Sequence, residues 1–365
     1  MSPPPARGDE LVVQVVGPAD DWVLERLARR LSAKLPYAEF VPWEARPGGA
    51  VRIAYYVNYA LYRGPSGLID GAFFTHRDDA HGFLDRARQV DFCVCMCRLY
   101  ADGLRAQGIR DVTHVPMGFD ACRYRPQLVL GVVGKLDHPR KGRHLVERLR
   151  RLPFVEVVVS GGDVPEERLP ELYQRVDYVL VVATVEGGPM SLLEGLAMGK
   201  PVIAPEGVGM VPEFGDTEHV RRYPAGDGDA LVRLVTACYE EKLRPRRLVQ
   251  ERTWDRWAEG HHAIFMRLLR DRGLPVPEPA PGFRFGLLGE VEVPPGVEAG
   301  PLEAAVDRAA AHLYYGRYDP ARAALAAVLP QYPCARRLFD TIPGGTAATD
   351  SRCPEPAKAH LEPLR

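Results

Sequence analysis

From residue 11 onward, short apolar runs alternate with segments of helical period, and no other feature limits the fold of this chain as strongly. LVVQVV (11–16) reads as a strand and DDWVLERLARRLSAKL (20–35) as an amphipathic helix. Further strands are predicted at VRIAYYV (51–57), GAFFTH (71–76), DFCVCM (91–96) and DVTHVP (111–116), with helical periods near 78–88 and 97–107. Strands separated by helices argue for parallel sheets covered by helices. PMGFDACRYRPQ (116–127) breaks the pattern with Pro and Gly, and the alternation then restarts. Strands follow at LVLGVVG (128–134), FVEVVVSGG (154–162), DYVLVVA (177–183) and PVIAPE (201–206), with helices at 141–152, 230–243 and 246–270. The expected architecture is α/β: a Rossmann-like domain over 1–120 and a second over 121–272, whose last helix, 246–270, packs back toward the first.

PVPEPAPG (275–282) marks a Pro-rich linker over 273–300. A helical hairpin is predicted over 301–340, where Gly316, Tyr318, Ala321 and Pro333 resemble part of one tetratricopeptide repeat. A single repeat cannot bury its own face, so the hairpin is expected to pack on the body of the protein. The tail, 341–365, reads as disordered. A net charge of −1 argues against bulk nucleic-acid binding. No apolar run approaches the roughly 20 residues of a spanning helix, and MSPPPARGDE has no apolar signal core; a cytoplasmic protein is expected. The helix at 22–34 places Trp22 on its apolar side and Arg26, Arg29, Arg30 and Lys34 elsewhere. Such a helix can touch anionic lipid, but Asp20, Asp21 and Glu25 dilute its charge and favour a solvated face. Cys93, Cys95 and Cys97 alternate along one predicted strand. A metal or redox cluster is one reading; buried thiols are the favoured one.

The chemistry gathers in two stretches of the second half. In VEGGPMSLLEGLAMGKPVIA (185–204), two carboxylates, Glu186 and Glu194, flank a glycine-rich helix start. A helix N-terminus offers unpaired N–H groups and partial positive charge. Gly187 and Gly188 let backbone approach a ligand, Pro189 suits the first turn, and Ser191 adds a hydroxyl. The amides around Met190, Ser191 and Leu192 could hold phosphate or sugar oxygens, with Glu186 on sugar hydroxyls and Glu194 on a ribose diol. A capped helix with surface glutamates is the alternative. In GKLDHPRKG (134–142), Lys135, Arg140 and Lys141 put three cations beside the turn at Gly134, which is what a diphosphate leaving group requires; a solvated basic turn is the alternative.

Together these stretches resemble the donor domain of glycosyltransferase family 4, the retaining transferases of the GT-B fold. The family has a G-R-x(4 to 6)-K-G loop and an E-x7-E motif, and this chain has GKLDHPRKG and EGGPMSLLE in that order. VPMGFDACRYRP resembles the family's interdomain segment and PVIAPEGVGMVPEF the strand and loop after the E-x7-E helix. The resemblance runs over roughly 111–270. It implies two facing Rossmann-like domains with a small helical extension. Lys135 takes the place of the family's arginine and Lys141 matches its lysine, both on the donor's diphosphate. Glu186 would contact the transferred sugar and Glu194 the ribose. Gly161 and Gly162 would let the base approach.

The first half departs from the family pattern. Its first strand is followed by GPADD, with the single glycine Gly17 where members often carry a glycine-rich loop. His76, in FFTHRD at a strand end, is the candidate for the histidine that lies by the donor sugar, with His81 as the spare. Asn58, Tyr59 and Tyr62 are candidates for an acceptor wall, packed aromatics being the other reading.

The resemblance implies a retaining hexosyltransferase that uses a nucleotide-diphosphate sugar, with UDP favoured over GDP. Glu186, His76, Lys135 and Lys141 would be its catalytic residues. No metal and no cofactor are expected, and DGD (226–228) sits in a late loop. The acceptor, a small natural product or a cell-envelope glycan or lipid, is left open. Alternatives are a non-catalytic nucleotide-sugar sensor and a nucleotide-sugar epimerase of the same fold.

Overall fold

The computed structural model describes residues 11–20, 22–120, 124, 126–215, 217–288, 300–332 and 335–342. The chain divides into two units, one of residues 1–123 and 251–365 and the other of 124–250.

The first unit contains β1 (Val13–Gly17), α1 (Val23–Lys34), β2 (Ala38–Pro42), β3 (Ile53–Tyr56), β4 (Ile69–Phe74), α2 (Phe83–Gln89), β5 (Phe92–Cys95), α3 (Arg98–Ala106) and β6 (Val112–His114). The second has β7 (Leu128–Val133), α4 (Arg143–Leu149), β8 (Val155–Ser160), α5 (Leu169–Arg175), β9 (Tyr178–Leu180), α6 (Met190–Ala197), β10 (Val202–Pro205), β11 (Val220–Tyr223) and α7 (Gly228–Lys242). The chain then returns to the first unit with α8 (Trp254–Asp271), α9 (Gly300–Tyr314), α10 (Tyr318–Ala326) and α11 (Arg336–Thr341). The sheets run β2-β1-β3-β4-β5-β6 and β11-β10-β9-β7-β8, with every pairing parallel. Two doubly wound parallel sheets with a helical C-terminal portion are the architecture expected from the sequence.

The strands read as unbroken apolar runs because both sheet faces are buried. In the first unit Val15, Ile53, Tyr55, Phe73, Phe92 and Val94 face α1 and α8. Their neighbours Val16, Ala54, Tyr56, Phe74, Cys93 and Cys95 face α2 and α3. Cys93 and Cys95 are thus core thiols, and burial pushes the Cys95 thiol up to about 12. Cys97 lies past the strand, at the N-cap of α3. Two strands were not anticipated, β2 (AEFVP) and β11 (VRRY). Each is an edge strand with half-buried residues, so it lacks an apolar run.

Three expectations are corrected. The helix predicted at 246–270 starts at Trp254, and it packs in the core of the first unit through Trp257, Ile264, Phe265 and Leu269. The Pro-rich segment is no free linker: Leu274, Val276, Phe283 and Phe285 pack on the first core, and the Ala280 N–H donates to the Tyr314 carbonyl at 2.7 Å. Its part over 289–299, Pro333 and the tail from 343 lie outside the described residues. Trp22 is not on the apolar side of α1 but is 64% exposed at its N-cap.

The basic side of α1 is spent inside the protein. Lys34 Nζ lies 2.8 Å from Asp255 on α8 and 3.0 Å from Asp307 on α9. Arg30 pairs with Glu303 and lies 3.8 Å from Asp307. Burial alone would lower the Lys34 ammonium; Asp307 and Asp255 outweigh it and hold the group above its ordinary range. The helical hairpin therefore docks on the body through half-buried charge, while Arg26 and Arg29 stay exposed. Removing Lys34 takes away the ion pair of Asp255 and leaves Asp307 with Arg30 at 3.8 Å, both carboxylates half-buried. A Lys34→Met variant is expected to lose about 3 kcal/mol of stability in chemical denaturation; unchanged stability would show the network to be idle.

Two histidines of α8 also lie in this core. His261 is fully buried, with Nδ1 2.8 Å from the Trp257 carbonyl and Nε2 2.8 Å from the Tyr55 hydroxyl. His262 Nδ1 lies 2.7 Å from the Tyr37 hydroxyl. Burial lowers both to about 4. Below the ordinary histidine range the unfolded chain takes up protons that the folded core refuses, so stability falls with pH. The loss begins near pH 6.5 and levels off near 4, reaching roughly 3 kcal/mol for His261 alone. A His261→Phe variant should show a shallower slope over this window in thermal scans; an unaltered slope would mean that the ring does not carry it.

Candidate active site

In open parallel sheets, ligands bind outside the carboxyl ends of the strands where the strand order reverses. In the second unit that point lies between β7 and β9, neighbours in the sheet whose connections leave to opposite sides. The loop after β7 is GKLDHPRKG and the loop after β9 ends in EGGP. The two stretches singled out in the sequence thus meet at one place.

They are tied together by charge and backbone. Lys141 Nζ donates to Glu186 Oε2, and Arg140 lies 3.7 Å from the same oxygen. The Arg140 guanidinium donates to the Val185 carbonyl at 3.0 Å, and the Arg140 carbonyl accepts from the Thr184 N–H at 2.8 Å. The Lys141 hydrogen bond holds the Glu186 carboxyl below its ordinary range, helped by the charges of Lys141 and Arg140 and by the Gly187 N–H. Lys135 is exposed and has no ion-pair partner among the described residues. With Asp137 and Glu186 set against Lys135, Arg140 and Lys141, the two loops keep an excess of one positive charge at the mouth of the sheet.

The glycines divide into two groups. At Gly134, Gly161 and Gly187 a Cβ would enter open space, so these positions leave room beside the backbone. The Cβ space of Gly188 is already filled by Met210, 2.7 Å away, and that of Gly17 by Ala28 of α1, also 2.7 Å away. At these two the missing Cβ leaves room for a neighbouring side chain. At Gly162, with φ +98°, the space is bordered by the stem of Lys135 at 3.4 Å. Gly142, with φ +72°, sits where a Cβ would strike the Val182 carbonyl at 2.1 Å, and this lets the turn after Lys141 lie against the end of β9.

On α6, Pro189 is the N-cap and no side chain caps the first turn, so the Met190 and Ser191 amides are not taken by a cap side chain. Met190 is exposed, whereas the Ser191 and Leu192 side chains are buried; the Leu192 N–H already donates to the Pro189 carbonyl at 2.9 Å, so the Met190 and Ser191 amides are the ones left to meet a ligand. Glu194 accepts a hydrogen bond from the Tyr173 hydroxyl of α5. Sequence reasoning gave no role to Tyr173, which lies in no quoted stretch, or to Met210, which lies in PVIAPEGVGMVPEF; only the packing brings them here. Asp227 of DGD caps α7, accepting from the Asp229 and Ala230 amides at 2.9 Å. No group of three His, Cys, Asp or Glu placed to hold a metal ion occurs among the described residues.

In the first unit, His76 is exposed just past β4, with Nδ1 2.9 Å from Thr75 Oγ1. His81 Nδ1 lies 2.7 Å from Asp78. The three acceptor candidates are corrected. Tyr59 is fully buried, stacked on Phe74 with centroids 5.1 Å apart. Tyr62 is 1% exposed against Tyr56. The buried Asn58 amide donates to Thr75 at 3.0 Å, and its oxygen caps the Ala60 N–H. All three hold the core of the first unit and present no wall.

Residues 119–253 match the family model of glycosyl transferases, group 1. No curated protein matches the chain. Among solved structures, the chain is similar to sucrose-phosphate synthase (tll1590) from Thermosynechococcus elongatus, with 14% identity and a TM-score of 0.32 over 72% of this chain and 100% of that one. It is similar to Alr3699/HepE of Anabaena in complex with UDP and glucose, with 13% identity and a TM-score of 0.27 over 71% and 95%. A glycosyltransferase from Rickettsia africae ESF-5 shows 10% identity and a TM-score of 0.31 over 72% and 100%. The family match takes in the whole second unit and both charged loops, and it supports glycosyl transfer.

Lys141→Met is expected to raise the Glu186 carboxyl toward its ordinary range, because the largest influence holding it down is gone. Carboxyl carbon shifts followed through acid titration check this. A Glu186 midpoint that does not move would show the ion pair to be weak in solution.

Proposed function

We propose that this protein is a retaining glycosyltransferase of family 4 that moves a hexose from a nucleotide-diphosphate sugar, UDP-linked in the first instance, to an acceptor hydroxyl. The observation that carries the reading is the Lys141–Glu186 pair at the switch point of the second sheet, inside the segment that matches the family model.

Lys135, Arg140 and Lys141 would neutralise the diphosphate, and Glu186 would accept hydrogen bonds from sugar hydroxyls. The Glu194 carboxylate, steadied by Tyr173, would take the ribose diol. In the transfer step the acceptor oxygen bonds to the anomeric carbon on the face from which the sugar–phosphate bond breaks. The departing phosphate oxygen takes the acceptor's proton, so no protein base is needed. Charge that grows on that oxygen meets cations already in place, which is preorganised electrostatic stabilisation. His76, exposed at the end of β4, is the first-unit side chain proposed to serve the sugar. Transfer is proposed to run without a metal ion.

A thermal-shift series with UDP, GDP, ADP and TDP and their hexose conjugates, with EDTA and then with magnesium, is expected to single out one nucleotide family in both conditions, since a ligand of the native state stabilises it. With that donor, Glu186→Gln should lower kcat by about 100-fold or more, and Lys135→Ala should weaken donor binding. Full turnover by Glu186→Gln would remove that residue from the mechanism. Donor binding with neither transfer nor hydrolysis would favour a sensor.

A further inference from the structure

The second unit ties α5 to α6 at two points. The Tyr173 hydroxyl of α5 donates to Glu194 Oε2 on α6. The Lys200 ammonium, past the end of α6, donates to the carbonyl of Gln174 at 3.2 Å. Gly195, next to Glu194, has its Cβ space filled by Val179 of β9, 2.6 Å away, so α6 sits close on the sheet. The Tyr173 side chain is 2% exposed and belongs to the core of Leu172, Val176, Val179 and Leu192. Its ring is thereby locked, and with it the place of its O–H.

Burial, then the bond to Glu194 and the charge of that group, raise the Tyr173 phenol, so it keeps its proton and acts as the donor. Glu194 is half-buried, and among the described residues no cation pairs with it and no donor meets Oε1. Lys200, the next basic residue along the chain, is spent on Gln174. An ionised carboxylate accepts on both oxygens. With Oε2 held by a fixed phenol, Oε1 is left as an acceptor of fixed position whose donor has to come from a ligand.

We propose that Tyr173 is a positioning residue: it fixes the Glu194 carboxylate so that the free oxygen reads the 2′-hydroxyl of the donor's ribose, which makes the site selective for ribonucleotides over 2′-deoxyribonucleotides. A ribose diol brings two O–H groups to the carboxylate. A 2′-deoxyribose brings one, and a half-buried acceptor stays unanswered; a site built to bond a hydroxyl rejects the analogue that lacks it. Without the phenol, the Glu194 side chain can turn toward water and has to be ordered again at each binding event, which costs affinity. Thymidine-linked donors, being deoxyribonucleotides, are disfavoured on this basis. The inference rests on the nucleotide-sugar reading of Glu194 and goes beyond it by naming what selects the pentose.

Calorimetric titration of the full chain with UDP, GDP and ADP, each beside its 2′-deoxy form, is the test. One ribonucleotide should bind about tenfold or more tightly than its 2′-deoxy form. In Tyr173→Phe, which keeps the ring, that ribonucleotide should weaken by about tenfold while the 2′-deoxy form changes little, so the ratio falls toward one. A purely structural role for the phenol would weaken both forms alike and keep the ratio. Glu194→Gln should also collapse the ratio, and adding Tyr173→Phe to it should change the ratio no further. Equal binding of the two forms by the unaltered chain would overturn the proposal, however the variants fold. So would a ratio that survives Tyr173→Phe. Absence of binding by all six nucleotides would overturn the donor reading and the inference with it, whereas binding without discrimination overturns the inference alone.

Discussion

The ion pair between Lys141 and Glu186 is the contact on which the geometry of the second unit's site depends. The two residues stand on separate loops, one after β7 and one after β9; the first holds a single 3-10 turn at Pro139–Lys141, and no regular element links it to the second. The pair joins them at the point where the sheet reverses its order. Arg140 adds bonds to the carbonyl of Val185 and the amide of Thr184. Gly142 allows the close approach, because no residue with a Cβ could sit against the Val182 carbonyl. The result is a fixed cationic mouth in which one lysine, Lys135, remains uncommitted. Catalysis by preorganised charge requires this kind of rigidity, since the groups must not reorganise as charge moves.

Charge is used differently in the first unit. Arg30 and Lys34 face inward toward Glu303, Asp307 and Asp255, and they join α1, α8 and α9 into one body. A buried pair contributes little net stability over an apolar contact of the same shape, but it punishes any arrangement that leaves a charge alone. The hairpin is thereby limited to one seat. The buried histidines of α8 add a polar scaffold to the same core, each bonded to a tyrosine from the body of the unit.

The central strands were legible in the sequence because both faces are buried and the residues run apolar without a break, as in DFCVCM and LVLGVVG. The edge strands AEFVP and VRRY were not, because an edge is half-solvated and its pattern dissolves into that of a loop. In the candidate site, Glu186, Lys135 and Lys141 were legible from types and spacing around glycine turns. Tyr173 and Met210 were not, because their roles arise from elements that are distant in the chain. Asn58, Tyr59 and Tyr62 show the opposite case: they were candidates for a surface wall, yet Tyr59 stacks on Phe74, Tyr62 meets Tyr56 edge-on and Asn58 bonds Thr75 and Ala60 within the core.

The sequence by itself determined the two restarts of strand and helix, the parallel class of both sheets, and the order of the charged loops along the second unit. These follow from local period and from turn residues, which act over a few positions. Only the tertiary structure decided which charges are used up and which are left over. Arg30 and Lys34 look like a solvated face until α9 is packed against them, and Lys141 looks like a free cation until Glu186 reaches it. Pairing of that kind depends on distances between residues far apart in the chain, and no local pattern encodes them.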